Sequence, residues 1–173
     1  MGYSTDFTGH FEITPPLDTV QAEYLQKFSE TRRMRRDNAL LVDYREPKRQ
    51  PNRVEDPLRQ AVNLPTGVEG GYFVGGQGFA GQTKDMSVLD YNHPPQGQPG
   101  LWCDWTVSED GKQLRWNGSE KTYKYVQWLQ YLIDNFFELW GRKLSGDVQW
   151  QGESSTDMGV ISIKDNIITV RKD

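Results

Sequence analysis

The sequence predicts an α+β protein in which an antiparallel sheet packs two main helices on one face. Period-two alternation of apolar and polar residues near both ends of the chain is typical of half-buried strands. Two segments with apolar residues at three- and four-residue spacing predict amphipathic helices. Between them, residues 43–100 are rich in Pro and Gly and predict a long, largely irregular insertion. This order of elements favours a ferredoxin-like core of the split βαβ kind.

The first strand and the first helix are predicted near the start of the chain. Residues 3–13 alternate between apolar and polar side chains, and Pro15-Pro16 ends this strand. Asp18 can cap a helix over residues 19–35. The apolar face of that helix contains Val20, Tyr24, Leu25 and Phe28. The chain therefore begins with a strand followed by a helix.

The second half of the chain predicts a hairpin, a long helix and a strand meander. Leu101–Val107 and Gln113–Trp116 flank a turn at 109–112, which is a hairpin pattern. Aromatic and aliphatic residues at helical spacing predict a core helix over residues 120–141. Three short antiparallel strands are predicted after it, around residues 148–150, 160–163 and 167–170.

Composition limits the classes of protein to which this chain can belong. With 173 residues and 35% hydrophobic content, we expect a single domain over 1–173. The net charge of -4 weighs against general nucleic-acid binding, which depends on Lys and Arg. No apolar run approaches the roughly 18–20 residues that cross a bilayer, and residues 1–6 do not resemble a secretory signal. We therefore expect a cytoplasmic protein with no membrane partner.

The residues that usually hold metals and cofactors are sparse. Cys103 is the single cysteine, which excludes an internal disulfide and a cysteine-rich zinc site. His10 and His93 have no metal-ligand spacing, and the carboxylates are scattered. The sequence therefore predicts neither a metal nor a cofactor.

The glycine-rich segment at residues 70–85 is the best candidate for a recognition surface. Glycine allows positive φ and close approach of the backbone to a ligand. Gly76–Gly81 matches the pattern G-x-G-x-x-G, but the dinucleotide fingerprint needs a preceding parallel strand and a following helix, and neither is predicted. A backbone loop that binds an anion and a purely structural turn both remain open.

Aromatic, amide and basic side chains near this segment are candidate binding residues. Exposed rings can stack a base or anchor a protein interface, and amides can orient a ligand. The basic cluster Arg32–Arg36 is either the solvated end of a helix or a patch for phosphate or an acidic partner. The predicted ligand- or partner-binding residues are Tyr72, Phe73, Gln77, Phe79, Gln82, Lys84, Tyr91, Asn92, Arg32 and Arg33.

A catalytic interpretation requires different residues. Cys103 could act as a nucleophile with His10 or His93 as its base, although a thiol in an aromatic strand is usually a small buried hydrophobe. The carboxylates Glu120, Glu153 and Asp157 are alternatives, because paired carboxylates can hydrolyse glycosides or, with a metal, phosphates. Carboxylates in turns between strands are usually solvated.

Several longer phrases carry a resemblance to a known family. These phrases are residues 2–9 (GYSTDFTG), 28–34 (FSETRRM), 71–76 (GYFVGG), 98–103 (QPGLWC) and 150–153 (WQGE). They resemble a family of uncharacterised proteins encoded by bacteriophages and some bacteria, and the match covers most of the chain. The two ends are also similar to small domains of unknown function with a ferredoxin-like fold, which supports the predicted architecture.

Two functional hypotheses follow. The first is a non-enzymatic phage-type accessory protein that binds a host protein or a small nucleotide-like ligand through its central loops, thereby inhibiting a host defence or metabolic factor. The alternative is a small hydrolase acting on a nucleotide or sugar through Glu153, Asp157 or Cys103. We expect the first to expose a surface rich in aromatic residues, and the second to gather its acidic, His and Cys residues in one pocket.

Overall fold

The computed structural model describes residues 2–44, 53–75 and 83–173. The strands within these ranges are Thr5–Thr14 (β1), Arg35–Arg36 (β2), Leu41–Val42 (β3), Val54–Glu55 (β4), Val88–Asp90 (β5), Trp105–Val107 (β6), Gln113–Trp116 (β7), Lys143–Gly152 (β8), Met158–Lys164 (β9) and Ile167–Lys172 (β10). The helices are Thr19–Glu30 (α1), Pro57–Ala61 (α2) and Tyr125–Leu132 (α3), and a π-helical turn at Ile133–Phe137 continues α3. Short 3₁₀ turns lie at Asn38–Leu40 and Val68–Gly70. The predicted α+β class is confirmed.

The chain divides into two compact units. Unit 1 consists of Met1–Ala22 with Asp104–Asp173, and unit 2 consists of Glu23–Cys103. The expectation of a single domain stays a prediction. None of the described helices combines the length and the apolar character needed to cross a bilayer.

Unit 1 contains a six-stranded sheet, and the predicted antiparallel arrangement is confirmed. The strand order is β10-β9-β8-β1-β7-β6, and every neighbouring pair is antiparallel. β1 and β8 pair along ten residues, from Thr5 opposite Gly152 to Thr14 opposite Lys143. Alternate side chains of β1, including Phe7, Phe11 and Ile13, are buried. The alternation of apolar and polar residues in the sequence therefore corresponds to a sheet with one buried face.

An aromatic cluster fills the space between this sheet and α3. The Phe7 ring lies 5.3 Å from Trp105, 5.4 Å from Trp116 and 5.0 Å from Tyr125, measured between ring centroids. The Trp105 indole N–H also donates to the Tyr125 carbonyl at 3.0 Å, which holds the start of α3 on the sheet. Tilted and edge-to-face contacts of this kind add to the free energy gained by burying the rings.

The long helix begins later than its sequence pattern predicts. Residues 120–124 are not helical, because Lys124 takes a left-handed conformation with φ of 53° immediately before Tyr125. From Tyr125 onward the predicted spacing holds. Most of the predicted apolar side chains are buried, whereas Tyr125 and Trp140 are half-buried. The helix then widens into the π-helical turn, where Glu138 N–H donates to the Ile133 carbonyl at 2.9 Å.

Two glycines allow β1 and β8 to approach each other closely. Gly9 has φ of +104°, and a Cβ there would lie 2.7 Å from the Asp147 carbonyl oxygen of β8. Gly146 has φ of +145°, and its Cβ would lie 2.8 Å from the His10 carbonyl oxygen. A side chain at either position would collide with the backbone of the neighbouring strand. Glycines inside strands commonly mark such close approaches.

Unit 2 has little regular structure. Within its described residues, β2 pairs antiparallel with β5, and β3 pairs parallel with β4. α1 ends at Glu30, not at residue 35 as the sequence pattern predicts. The backbone leaves the helix because Arg33 N–H donates to the Leu101 carbonyl at 2.8 Å, and the chain continues as extended β2. The whole basic cluster Arg32–Arg36 therefore lies beyond the helix.

Candidate functional site: an arginine clamp around the glycine-rich segment

Arg33 is a buried anchor for the chain that enters the glycine-rich segment. It is only 2% exposed. Its guanidinium donates from Nη1 to the Phe73 carbonyl and from Nη2 to the Gly71 carbonyl, both at 2.7 Å. The same group stacks over the Phe28 ring, with 4.0 Å from Cζ to the ring centroid. These contacts fix the backbone of residues 71–73 against the residues that follow α1.

Arg36 holds the chain on the other side of that segment. Its Nη1 donates to the Asp85 carboxylate at 2.9 Å and to Ser87 Oγ at 2.7 Å. The guanidinium also lies over the Phe73 ring, at 3.8 Å from the ring centroid. Burial alone would raise the pKa of Asp85, but hydrogen bonds from Ser87 and Arg36 keep it below its usual value. Asp85 is therefore held as a carboxylate.

Thr31 adds a third attachment. Its hydroxyl donates to the Lys27 carbonyl of α1 at 2.7 Å and accepts from the Gly75 N–H at 3.1 Å. We call Thr31, Arg33 and Arg36 the arginine clamp. The clamp fixes residues 71–75 and 85–87, so that both flanks of residues 76–82 are attached to the same short stretch of chain.

A second group of predicted binding residues meets at the surface of unit 2. The Arg32 guanidinium stacks over the Tyr91 ring at 4.1 Å from its centroid. Arg32 also donates to the Tyr91 carbonyl at 3.0 Å and to Asn92 Oδ1 at 3.3 Å. We call Arg32, Tyr91 and Asn92 the Arg32 cluster. It places a cation, an aromatic ring and an amide together. These are the three kinds of side chain that the sequence predicts for a binding surface.

The Arg32 cluster rests on a compact turn around Asp90. Asp90 accepts from the Asn92 N–H at 2.9 Å, and its other oxygen lies 2.8 Å from His93 Nδ1. The bond from Asn92 is the largest influence that holds the pKa of Asp90 below its usual value. The carboxylate thus fixes the turn that carries Tyr91 and Asn92.

The remaining predicted binding residues differ in their placement. Phe73 is buried beneath Arg36, while Lys84 is exposed. Tyr72 is half-buried, and its carbonyl accepts from the Tyr24 hydroxyl at 2.6 Å. Gln77, Phe79 and Gln82 lie outside the described residues, so their role stays a prediction.

The sequence analysis missed a buried ion pair in unit 2. Asp56 is fully buried, and its carboxylate accepts from Arg59 Nε at 2.8 Å. Burial raises the pKa of Asp56 to about 6, although Arg59 partly opposes that shift. Asp56 precedes Pro57 at the start of α2, and an Asp-Pro pair usually signals a solvated helix start. The local Asp-Pro pattern therefore could not show that the Asp56 side chain is buried.

The candidate catalytic carboxylates of unit 1 serve as structural acceptors. Glu153 accepts from the Ser4 N–H at 2.7 Å. Asp157 accepts from the Tyr3 hydroxyl at 2.8 Å and from the Trp150 indole N–H at 3.0 Å. These hydrogen bonds hold the pKa of Asp157 below its usual value. The sequence phrases at 2–9 and 150–153 therefore contact each other. Their residues have a structural role, since they hold β1 against β8.

The remaining catalytic candidates are Cys103 and the two histidines. Cys103 is fully buried in unit 2, while His93 is exposed and paired with Asp90. His10 in unit 1 is half-buried, and its Nε2 lies 2.6 Å from Glu12 Oε1. Across residues 2–44, 53–75 and 83–173, no three His, Cys, Asp or Glu side chains form a group that could hold a metal ion.

A shallow depression lies on the polar face of the unit 1 sheet, and the sequence analysis did not predict it. Its volume is about 390 Å³. It is lined by Thr8, Gly9, Asp147, Gln149, Val160, Ser162 and Arg171. We call it the sheet-face depression. The isolated Gly9 within a strand pattern was the available signal, because a missing side chain leaves a gap in a sheet face.

Comparison with known proteins identifies no relative, since no protein-family model, curated protein or solved structure matches the chain.

Proposed function

We propose that this chain is a non-enzymatic binding protein whose glycine-rich segment is its recognition loop. The observation that carries the proposal is the arginine clamp, which attaches both flanks of residues 76–82 to residues 31–36. Binding loops work when a rigid scaffold fixes their ends, because ordering a loop at the moment of binding costs free energy. A segment that only connects two parts of the chain would not need three buried side chains to fix its flanks.

The partner we propose is a host protein. The resemblance to bacteriophage proteins makes a phage-type accessory role the natural setting, with inhibition of a host defence or metabolic factor as its effect. Phe79 would be the aromatic anchor and Gln82 a polar contact beside it, since aromatic side chains dominate binding energy at protein interfaces. Location in the host cytoplasm belongs to the same proposal.

A second form of this proposal has a nucleotide-like ligand as the partner. The Arg32 cluster supports it, because a guanidinium can pair with phosphate and a tyrosine ring can stack a base. Lys84 is exposed and would add positive charge. The hydrolase alternative receives less support, because Glu153 and Asp157 already hold the first strand in place.

The proposed architecture is a ferredoxin-like core built on the unit 1 sheet. Its support is the order β8-β1-β7-β6, which is the antiparallel order of a βαββαβ unit. In that assignment α1 lies in sequence between β1 and β6, and α3 lies between β7 and β8. β9 and β10 then extend the sheet beyond β8 as additions to that core.

Affinity capture from host-cell extract tests the proposed function. Wild type is compared with the double variant Phe79→Ala/Gln82→Ala and with the control Thr8→Ala/Gln149→Ala, which alters the sheet-face depression instead. We expect a specific protein to be retained by wild type and by the control, and to be lost from the loop variant. Equal retention by all three proteins, or loss from the control alone, would overturn the proposal.

The nucleotide form has its own measurement. Small molecules released from the purified protein after exposure to extract are identified by mass spectrometry. We expect a nucleotide from wild type and from Lys143→Gln, an exposed cation of unit 1, but not from Arg32→Gln. Release of the same nucleotide from Arg32→Gln would rule out phosphate recognition by the Arg32 cluster.

A further inference from the structure

β10 is an outer strand of the unit 1 sheet. Among the described residues it pairs with β9 alone, from Ile167 opposite Lys164 to Lys172 opposite Gly159. An outer strand presents a row of backbone N–H and C=O groups that another strand can bind. The opposite edge, formed by β6, is only three residues long, whereas β10 has six.

The backbone groups that β10 directs outward can be assigned. Asp173 N–H donates to the Met158 carbonyl at 3.0 Å, so the odd-numbered residues of β10 exchange hydrogen bonds with β9. In an antiparallel ladder, the backbone N–H and C=O groups of the residues between them point toward the opposite edge of the strand. The N–H and C=O groups of Ile168, Val170 and Lys172 therefore face away from β9.

Of the features that usually prevent edge pairing, β10 has only charged side chains, and these are confined to its end at Arg171 and Lys172. It contains neither Pro nor Gly, and its register with β9 is unbroken over all six residues. Most of its side chains are exposed on both faces, including Ile167 at 70% and Val170 at 46%. Natural sheets usually protect such an edge with a bulge, a proline or an inward-pointing charge. Within the part of the chain that the structure describes, no second strand pairs with this edge.

The sequence of β10 is complementary to itself in the antiparallel direction. That direction can place Ile168 of one copy opposite Val170 of the other, which extends an apolar row already formed with Ile161 and Ile163 of β9. It also moves the cationic end, Arg171 and Lys172, away from its own equivalent. Lys172 then lies opposite Asn166 of the second copy and next to Asp165, which itself lies opposite Asp173. A parallel pairing would instead set the like charges side by side.

We propose that two copies of this chain associate through antiparallel pairing of β10 with β10. The two sheets become continuous across a two-fold axis perpendicular to them, as a symmetric dimer requires. The interface consists mainly of strand-to-strand hydrogen bonds and the contact of Ile168 with Val170. A small interface of this kind gives a reversible dimer whose population depends on concentration.

Sedimentation or light scattering across a dilution series tests this proposal. Wild type is expected to approach twice its monomer mass of 20.0 kDa as its concentration rises. Val170→Pro removes an outward N–H while sparing the ladder with β9, since proline is tolerated at that kind of edge position. This variant is expected to stay monomeric at every concentration, with a circular dichroism spectrum like that of wild type.

Two further variants keep the result independent of folding. Val170→Thr retains the N–H and the strand preference, so it should still dimerise. Lys172→Glu places a negative charge beside Asp165 of the second copy and should weaken the dimer, less so at high salt. A wild type that stays monomeric throughout, or a folded Val170→Pro protein that dimerises like wild type, overturns the proposal.

Discussion

Single buried side chains determine the shape of unit 2. Arg33 donates to two backbone carbonyls and stacks on the Phe28 ring. In helices and sheets, backbone N–H groups would satisfy such carbonyls. Buried carbonyls need partners, and an irregular chain has few backbone donors in the right places. An arginine with several donors in a fixed plane can satisfy more than one of them.

Replacing Arg33 tests this role. Arg33→Met leaves the Phe73 carbonyl without its donor, so we expect the free energy of unfolding to fall by roughly 2–4 kcal/mol. The matched control is Arg32→Met, the neighbouring surface arginine, whose loss should cost less than about 1 kcal/mol. Urea unfolding followed by fluorescence measures both. Equal destabilisation by the two variants would assign the effect to the loss of a positive charge rather than to the clamp.

Asp56 should make stability depend on pH. Because its pKa is raised from 3.8 to about 6, the folded state keeps a proton that the unfolded state releases first. Its contribution therefore lowers stability as pH rises from about 4 to about 6, by roughly 3 kcal/mol in all, and is constant above that window. Asp56→Asn should abolish this contribution. Urea unfolding of both proteins at several pH values tests it, and a pH-independent difference between them would refute it.

At the scale of elements, β1 and β8 approach each other closely at Gly9 and at Gly146, and the contact at Gly9 can be tested. Gly9 combines a positive φ with a carbonyl oxygen 2.7 Å from the position of a Cβ. Gly118 has a similar φ of +84°, but nothing lies within 4 Å of its Cβ position. The two glycines therefore separate the cost of backbone conformation from the cost of collision.

Alanine at these two glycines measures the contact. Gly118→Ala should cost about 1–2 kcal/mol of stability, the usual penalty for a left-handed L-residue. Gly9→Ala should cost a further 1–3 kcal/mol, approximately, because the β8 backbone must shift. Thermal or urea unfolding gives both values. If Gly9→Ala is no worse than Gly118→Ala, the close approach of the strands has no energetic consequence.

The sequence predicted the elements of unit 1 well, because hydrophobic periodicity decided them. β1, α3 and the β9–β10 hairpin all have side chains that alternate or recur with their own period. The ends of α1 and α3 were wrong, since a tertiary hydrogen bond to Leu101 and a left-handed Lys124 decide them. No local pattern reports either event.

The candidate site was harder to predict, for a physical reason. The sequence predicted Arg32, Arg33 and Tyr91 as candidate binding residues, and the fold brings Arg32 and Tyr91 together. It could not separate Arg33, which is buried, from Arg32, which is half-exposed, because adjacent arginines look alike in composition. The sheet-face depression arises from strand order, which a linear pattern does not contain.

As a whole, the molecule consists of a sheet unit and a unit organised by buried arginines. The first is stabilised mainly by apolar and aromatic burial, and the second by polar contacts that fix irregular chain. Recognition by the second unit is the central claim. It predicts that a partner contacts residues 76–82 rather than another exposed part of the chain.

Site-specific photo-crosslinking in host cells tests that claim most directly. A photoreactive phenylalanine analogue replaces Phe79 in one protein and Leu139, which is 65% exposed in unit 1, in the control. The account predicts that irradiation produces a discrete crosslinked species from position 79 and none from position 139. A discrete species from position 139 with none from position 79 would contradict it.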